Sequence, residues 1–338
     1  MAVTLSDVAR AAGVHPGTAS RALNPATRER VSPATARRVL TAATRLGYQP
    51  NSLARGLRTR RSYTVGIMIP DLTNPLFPPI VRGVDEVLGP AGYSGLVTNT
   101  DNAAAREEVL FAALRARQAD GFIVATAHRA HPLLDRMADE NVPMVLVNRT
   151  TDNRRIPAVI PDEAAGVRAA VAHLTALGHR RIAHLAGPQG LSTGHGRYRA
   201  FLDAVARPGP SPGPIAFADA FTEAAGRSAA RELLAARPRP TAVVAGNDLL
   251  AIGLLDTLES AGLRCPDDVS VVGFNDIPML SRMTPPLTTV RIPQREIGGE
   301  AARLLLDLMT EPGSAKLLLL PTRLIERAST APPAAAID

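Results

Sequence analysis

Cysteine is almost missing from the chain: its 338 residues hold one, Cys265, and no tryptophan. A single thiol excludes a disulfide framework and a cysteine-based zinc site, and it suits a reducing cytoplasm. Long apolar runs are missing too. Runs such as Leu317–Leu320 fall far short of the ~20 residues that cross a bilayer, so no membrane partner is expected. Met1–Arg10 lacks the apolar core of a secretory signal. No G-x-G-x-x-G opens a helix after a strand and no Walker A sequence occurs, which removes the main support for a nucleotide-dependent enzyme. His128 and His131 stand three apart near Pro132 without a carboxylate at ligand spacing, and Ser192 lacks a nucleophile-elbow context. All three read as surface residues. Neither catalysis, nor a cofactor, nor a metal is expected. Lysine is scarce as well: 37 of the 38 bases are arginine, which with abundant Ala, Pro and Gly reads as coding bias.

What is present is unevenly placed. Residues 1–61 carry 11 Arg against Asp7 and Glu29, a net of +9; the other 277 residues hold 27 basic and 29 acidic groups, a net of −2. A small basic head on a near-neutral body suits a polyanion, either nucleic acid or an anionic membrane surface. At roughly 100–200 residues per domain the length fits two or three domains. An apolar content of 46% makes the body an ordinary globule.

Three helical patterns fill the head. Thr4-Leu5-Ser6-Asp7 reads as a capping box opening a helix through Ala12, which Gly13 breaks. His15 at the cap and Pro16 at the first helical position start a second helix through Leu23. Ser32-Pro33 starts a third, with Ala36, Val39, Leu40, Ala43 and Leu46 on one face, ended by Gly47. Ser52–Leu57, capped by Asn51 and made strongly basic by Arg55, Arg58, Arg60 and Arg61, is too short to be stable alone and is expected to order only against a partner.

Two short helices about a tight turn with a third bracing them form a helix-turn-helix. Its second helix would aim His15, Pro16, Gly17, Thr18, Ser20 and Arg21 at base edges in a major groove. Arg21 is the best bidentate guanine reader among them. The alternative is a small three-helix interaction domain whose arginines are merely solvated; the charge balance, turn spacing and basic trailing segment together favour DNA.

From Tyr63 onward apolar strand runs alternate with amphipathic helices. Strands are predicted over Thr64–Ile69, Tyr93–Thr98, Gly121–Ala125, Pro143–Val147, Ala158–Ile160, Arg181–Leu185, Thr241–Ala245 and Val269–Phe274. Helices are predicted over Ala103–Ala119, Glu163–Leu177, Thr222–Ala236 and Asp248–Ala261. This pattern argues for an α/β body of two lobes with doubly wound parallel sheets. The proline-rich Arg207–Pro214 reads as a surface loop. Ligands of such sheets bind beyond the strands' carboxyl ends. Asn74 and Phe77, Asn99 and Asp101, Asn148 and Arg149, Asn247 and Asp248, and Asn275 and Asp276 lie there. Amides, acids and an arginine recurring at strand ends suit a polyhydroxylated ligand. Asp248 alone reads as a helix cap.

Val3–Val14, Thr18–Asn24 and Gly47–Leu57 closely resemble the lactose-repressor (LacI/GalR-type) family of bacterial transcription regulators. The resemblance continues through Gly66–Pro75, His173–His179, Ala245–Asp248, Asp268–Asp276 and Pro285–Thr289, nearly the whole chain. It implies a cytoplasmic homodimer that binds a near-palindromic double-stranded DNA operator, and a periplasmic-binding-protein-like body. It makes Ser52–Leu57 a hinge helix, with Leu57 as a minor-groove wedge. Thr4, Asn24, Ser32, Thr35, Tyr48 and Asn51 match phosphate-holding positions, and Ser6 and Ala54 complete the expected DNA contacts. The segment Asn24–Val31 is longer than the corresponding loop of the lactose repressor, which leaves contacts by Arg28 or Arg30 open. His15 replaces a frequent serine cap.

In the body, Arg197 matches the arginine that holds sugar hydroxyls, Asn148, Asn247 and Asn275 match polar liners, and Phe221 matches an aromatic that stacks on a sugar face. The expected effector set is Asn74, Phe77, Asp101, Asn148, Arg149, Arg197, Phe221, Asn247 and Asn275. Asn275 stands where the lactose repressor has an aspartate, and His195 where an arginine is common; a nucleoside or another small polar metabolite stays open beside a sugar. The implied divisions are a DNA-binding domain at 1–49 and a hinge and linker at 50–61. One lobe takes 62–161 plus 292–322, the other 162–291 plus 323–330, and a disordered tail 331–338. The chain reads as a repressor switched by a small effector. The alternative is a constitutive or architectural DNA-binding dimer without one.

Overall fold

A computed structural model of the chain describes residues 3–48, 61–206, 210–311, 313 and 316–334. The chain separates into two compact units, Met1–Ser62 and Tyr63–Asp338.

In the head, α1 (Leu5–Ala12), α2 (Pro16–Leu23) and α3 (Pro33–Leu46) enclose a core of small residues, Val8, Ala9, Ala19, Ala22, Ala36, Val39, Ala42 and Ala43. Alanine at most of these positions lets short helices approach closely without long side chains. Asp7 N–H donates to Thr4 Oγ1 at 3.3 Å and Thr4 N–H to Asp7 Oδ2 at 3.0 Å, the reciprocal cap. Gly13 closes α1 at φ +62°. Ser32 Oγ accepts from Thr35 N–H at 3.3 Å and opens α3. Pro25–Arg30 winds into a 3₁₀ helix. There Arg28 Nε donates to Ala22 O and the Thr27 hydroxyl to Arg21 O, each at 3.1 Å, satisfying carbonyls that the end of α2 leaves open. The expected hinge helix, with Asn51, Ala54 and Leu57, lies outside the described residues.

The body is two sheets with helices on their faces. The first holds β1 (Thr64–Ile69), β2 (Ser94–Asn99), β3 (Gly121–Val124), β4 (Met144–Val147), β5 (Ala158–Pro161) and β11 (Leu317–Leu320) in the order β11-β5-β4-β3-β1-β2, every pair parallel. Its helices are α4 (Phe77–Leu88), α5 (Ala104–Ala116), α6 (Pro132–Asp139) and α11 (Gln294–Thr310). The second sheet holds β6 (Arg181–Ala186), β7 (Ser211–Phe217), β8 (Ala242–Ala245), β9 (Ser270–Asn275), β10 (Thr288–Arg291) and β12 (Arg323–Ile325) in the order β12-β10-β9-β8-β6-β7. Of these strands only β12 runs antiparallel to its neighbour. Around the sheet pack α7 (Glu163–Ala176), α8 (Ser192–Val205), α9 (Glu223–Ala235) and α10 (Asp248–Ser260). Central strands such as β3, β4 and β8 are buried along their length, as strands covered on both faces must be. The chain passes between the sheets after β5, after β10 and after β11.

Two expectations need correction. The proline-rich run is not all loop: β7 begins at Ser211 inside it and pairs with β6, with a register shift between Ile182 and His184. β7 is the sheet's outer strand, where Pro212 and Pro214 need not donate to a further neighbour. The tail is fixed at its start. Ala331 N–H donates to Ser270 Oγ at 3.1 Å, and the Ala331 carbonyl receives His179 Nε2 at 2.9 Å. Among the described residues no helix is long and apolar enough to cross a membrane.

Candidate ligand cleft and DNA-binding surface

A cavity lies between the two lobes beyond the carboxyl ends of their strands. Asn74, Leu76 and Phe77 reach it from the end of β1 and the start of α4, and Asn148 and Arg149 from the end of β4. From the other lobe come Thr193 and Arg197 on α8, Phe221 after β7, Asn247 after β8, and Asn275 at the end of β9. Two of the strand-end amides hold left-handed backbone, Asn148 at φ +63° and Asn275 at φ +119°. Asparagine tolerates that region better than most residues, and such conformations gather at binding sites.

Arg197 is the best-held group. It is 2% exposed; Nε donates to Glu163 Oε1 at 3.0 Å, Nη1 to Gly246 O at 2.6 Å and Nη2 to Asn275 Oδ1 at 3.4 Å. Its guanidinium lies 4.0 Å from the centroid of the Phe274 ring. Burial pushes the Glu163 carboxyl up to about 7, against the pull of Arg197. Phe221 packs so near Gly187 that a Cβ there would stand 2.3 Å from its ring, so only glycine leaves the ring in place.

Asp248 is not the helix cap it was expected to be. Asn247 caps α10, its Oδ1 accepting Leu250 N–H at 2.9 Å. Asp248 is wholly buried and turns to the neighbouring strands, accepting Thr289 Oγ1 at 2.6 Å and Ile277 N–H at 3.0 Å. Burial pushes it up to about 6. His131 and Ser192 are not surface residues either. His131 is buried with its Nε2 3.3 Å from Glu107 Oε2, while Glu107 Oε1 takes the Thr126 hydroxyl. That carboxylate comes from α5, so sequence spacing could not reveal it. Half-buried His128 donates its backbone N–H to His131 Nδ1. Ser192 Oγ accepts Thr150 N–H at 2.9 Å from the opposite lobe. Arg129 completes this rim, its N–H donating to Gly190 O at 3.0 Å and its Nε pairing with Asp152 at 3.0 Å.

Eight of the nine expected effector residues line the cavity; Asp101 does not. It is exposed and forms an ion pair with Arg106 at 3.0 Å. Leu76 and Thr193 line the cavity without having been expected there. His195 lies outside the lining, its Nδ1 3.4 Å from Gln189 Oε1.

On the head, His15 Nδ1 accepts Gly17 N–H at 3.1 Å and caps α2, with Pro16 at the first helical position. Ala19 and Ala22 face the core, whereas His15, Pro16, Gly17 and Arg21 are exposed and Thr18 and Ser20 partly so. Arg21 Nε donates to Gly17 O at 3.1 Å, which lays the side chain back along the first turn of α2. Thr4, Ser6 and Ser32 are exposed near the helix starts, while Thr35 and Tyr48 are partly buried. Asn24 follows α2 as its C-cap.

A family model described as bacterial regulatory proteins, lacI family, matches residues 4–51, and a periplasmic binding protein-like domain matches residues 171–330. The ribose operon repressor of Halalkalibacterium halodurans is 34% identical over 328 residues, covering 97% of this chain and 97% of that protein. The chain belongs to the lacI family of bacterial regulatory proteins. Two solved structures match nearly all of the regulator's sequence. A lac repressor dimer bound to operator and the anti-inducer ONPF is 30% identical, with a TM-score of 0.83 over 98% of this chain and 100% of that one. A transcriptional regulator CelR–cellobiose complex is 34% identical, with a TM-score of 0.74 over 97% and 99%.

Proposed function

We propose that the chain is a cytoplasmic, homodimeric transcriptional repressor, without enzymatic activity, that binds a near-palindromic operator and is switched by a small sugar in the interlobe cleft. The observation that carries the switch is the set of buried polar atoms left without partners at the cleft: Asn148 Oδ1, Thr193 Oγ1, and Nε and Nη1 of Arg149. Buried polar groups are normally hydrogen-bonded, and these four point to a ligand with several oxygens. A constitutive DNA binder would need a cleft satisfied by its own side chains. Arg197 meets that condition and the other three residues do not.

The relatives support the same reading: one is named a ribose operon repressor, and another was solved with cellobiose. The helix-turn-helix head, with α2 exposing Arg21, supports the DNA partner. For the dimer, the edge strand β2 leaves Leu96 and Val97 exposed, an apolar strip suited to cover by a second copy.

The test is binding of the full chain to a labelled duplex that the protein itself has selected from random DNA, titrated with pentoses, hexoses and their derivatives. At least one should shift operator affinity by about 5- to 150-fold, the usual span of allosteric coupling. If none moves it, the ligand-switch reading fails.

A further inference from the structure

The charge at the cleft narrows the class of ligand. Its ten lining residues include two guanidinium groups, Arg149 and Arg197, and no carboxylate. Arg197 has a carboxyl group behind it, Glu163, at 3.0 Å. Arg149 has no such partner: it is 6% exposed, and Nε and Nη1 lack any hydrogen bond. Glu107 is the carboxylate that favours its charge, yet one oxygen takes the Thr126 hydroxyl and the other faces His131 Nε2. Burial and then the nearby Arg197 pull the Arg149 guanidinium down to about 10, so it remains protonated at neutral pH.

A buried cation without a partner is strongly unfavourable unless a ligand supplies the opposite charge. Sugar hydroxyls would satisfy its donors but leave its charge uncompensated. An oxyanion meets both needs, because its oxygens accept from the guanidinium N–H groups and its charge offsets theirs.

We propose that the effector carries one oxyanion group, a carboxylate or a phosphate, on a polyhydroxylated skeleton. The oxyanion seats against the Arg149 guanidinium, while Asn148 Oδ1 and Thr193 Oγ1 take hydroxyls. This rests on the cleft being the sugar site, and it adds the charge of the ligand. The neutral amides Asn148 and Asn275 agree with it, since a carboxylate at either position would repel an anion.

Calorimetric titration of the full chain with matched probes tests the assignment. D-ribose, D-ribonate and D-ribose 5-phosphate form one set, and D-glucose, D-gluconate and D-glucuronate another, with inorganic phosphate alone as a control. An acid or phosphate should bind about ten- to a hundred-fold tighter than its neutral parent, the worth of a hydrogen bond to a charged group. Which anionic arm binds assigns the source as carboxylate or phosphate. Arg149→Gln should bring anionic and neutral probes to parity without lowering the melting temperature, because it removes a buried uncompensated charge. Should that variant fail to fold, Asn275→Asp carries the test, and it should shift preference toward the neutral sugar. Equal affinity for neutral and anionic probes in the wild type overturns the proposal, as does a preference that survives both substitutions. Binding of inorganic phosphate as tight as that of the sugar derivatives overturns the polyhydroxylated part. If no probe of either charge binds, the sugar-effector reading itself falls and takes this proposal with it.

Discussion

At the first turn of α2 the acceptor that a hydroxyl often supplies comes from an imidazole, His15 Nδ1, which takes the Gly17 N–H at 3.1 Å. A side chain that holds the start of the helix expected to read DNA affects both stability and binding. His15→Ala should cost the head about 1 kcal/mol, the usual worth of an N-cap, and weaken operator binding with it. His15→Ser should keep both. Thermal unfolding and operator titration of the two variants check this, and an alanine variant that melts with the wild type would show the cap to be idle. The same residue marks what was legible in the sequence at this scale. Helix caps could be read from short spacing, as at Thr4, His15 and Ser32. Cleft amides could be placed because strand ends converge in this architecture, as Asn74, Asn148, Asn247 and Asn275 do. Partners set by the tertiary fold could not. Glu107 meets His131 from another helix, Asp248 leaves its helix end to reach Thr289, and Asp101 turns outward to Arg106.

At the scale of elements, apolar runs located β1 to β6, β8 and β9, but neither the buried β10 nor the outer strands β7, β11 and β12. β7 hides in a proline-rich stretch because an outer strand needs hydrogen bonds on one side only. β12 is three residues long and half exposed, too short to carry a pattern. One of the tightest helix contacts left no periodic signal at all. α11, entering from the other lobe, lies against α4 backbone to backbone: a Cβ on Gly298 would stand 2.0 Å from Ile80 O, and one on Gly83 would stand 1.9 Å from Arg295 O. α4 begins at the cleft residue Phe77, and at the start of α11 Gln294 Nε2 donates to Asn275 O at 2.7 Å. Gly298→Ala must therefore push the two helices apart, at roughly 1–3 kcal/mol or more by the measure of overpacked cores. Denaturant unfolding should show that loss, with a drop in effector affinity as Phe77 shifts. An unchanged midpoint would mean the helices have slack that their backbone distances deny.

For the whole molecule, stability depends on buried groups whose charge the fold opposes, and these act in opposite directions with pH. His184 is wholly buried, with Nδ1 2.8 Å from Val244 O, and burial pushes it down to about 4. Its unfolded form gains a proton at higher pH than its folded form, so this residue favours folding less as pH falls from 6.5 toward 4. Glu163, one residue past the first passage between lobes, is pushed up to about 7 from an ordinary 4.5. In that window the folded chain holds a proton that the unfolded chain has released. Stability from Glu163 is therefore complete below pH 4.5 and is lost as pH rises toward 7. Asp248, up to about 6 from 3.8, acts in the same direction. As pH rises from 5 to 7 the two carboxyls withdraw stability, while His184 and the other imidazoles lowered in the fold, His128, His179 and His195, restore it. A tenfold difference in proton affinity between folded and unfolded chain is worth about 1.4 kcal/mol, so Glu163 alone should withdraw on the order of 2 kcal/mol over that rise. Glu163→Gln, which stays neutral and can still accept from Arg197, should remove this loss. Thermal unfolding of both proteins across the window decides it: a variant whose stability changes toward pH 7 just as the wild type's does would place the titration elsewhere in the fold.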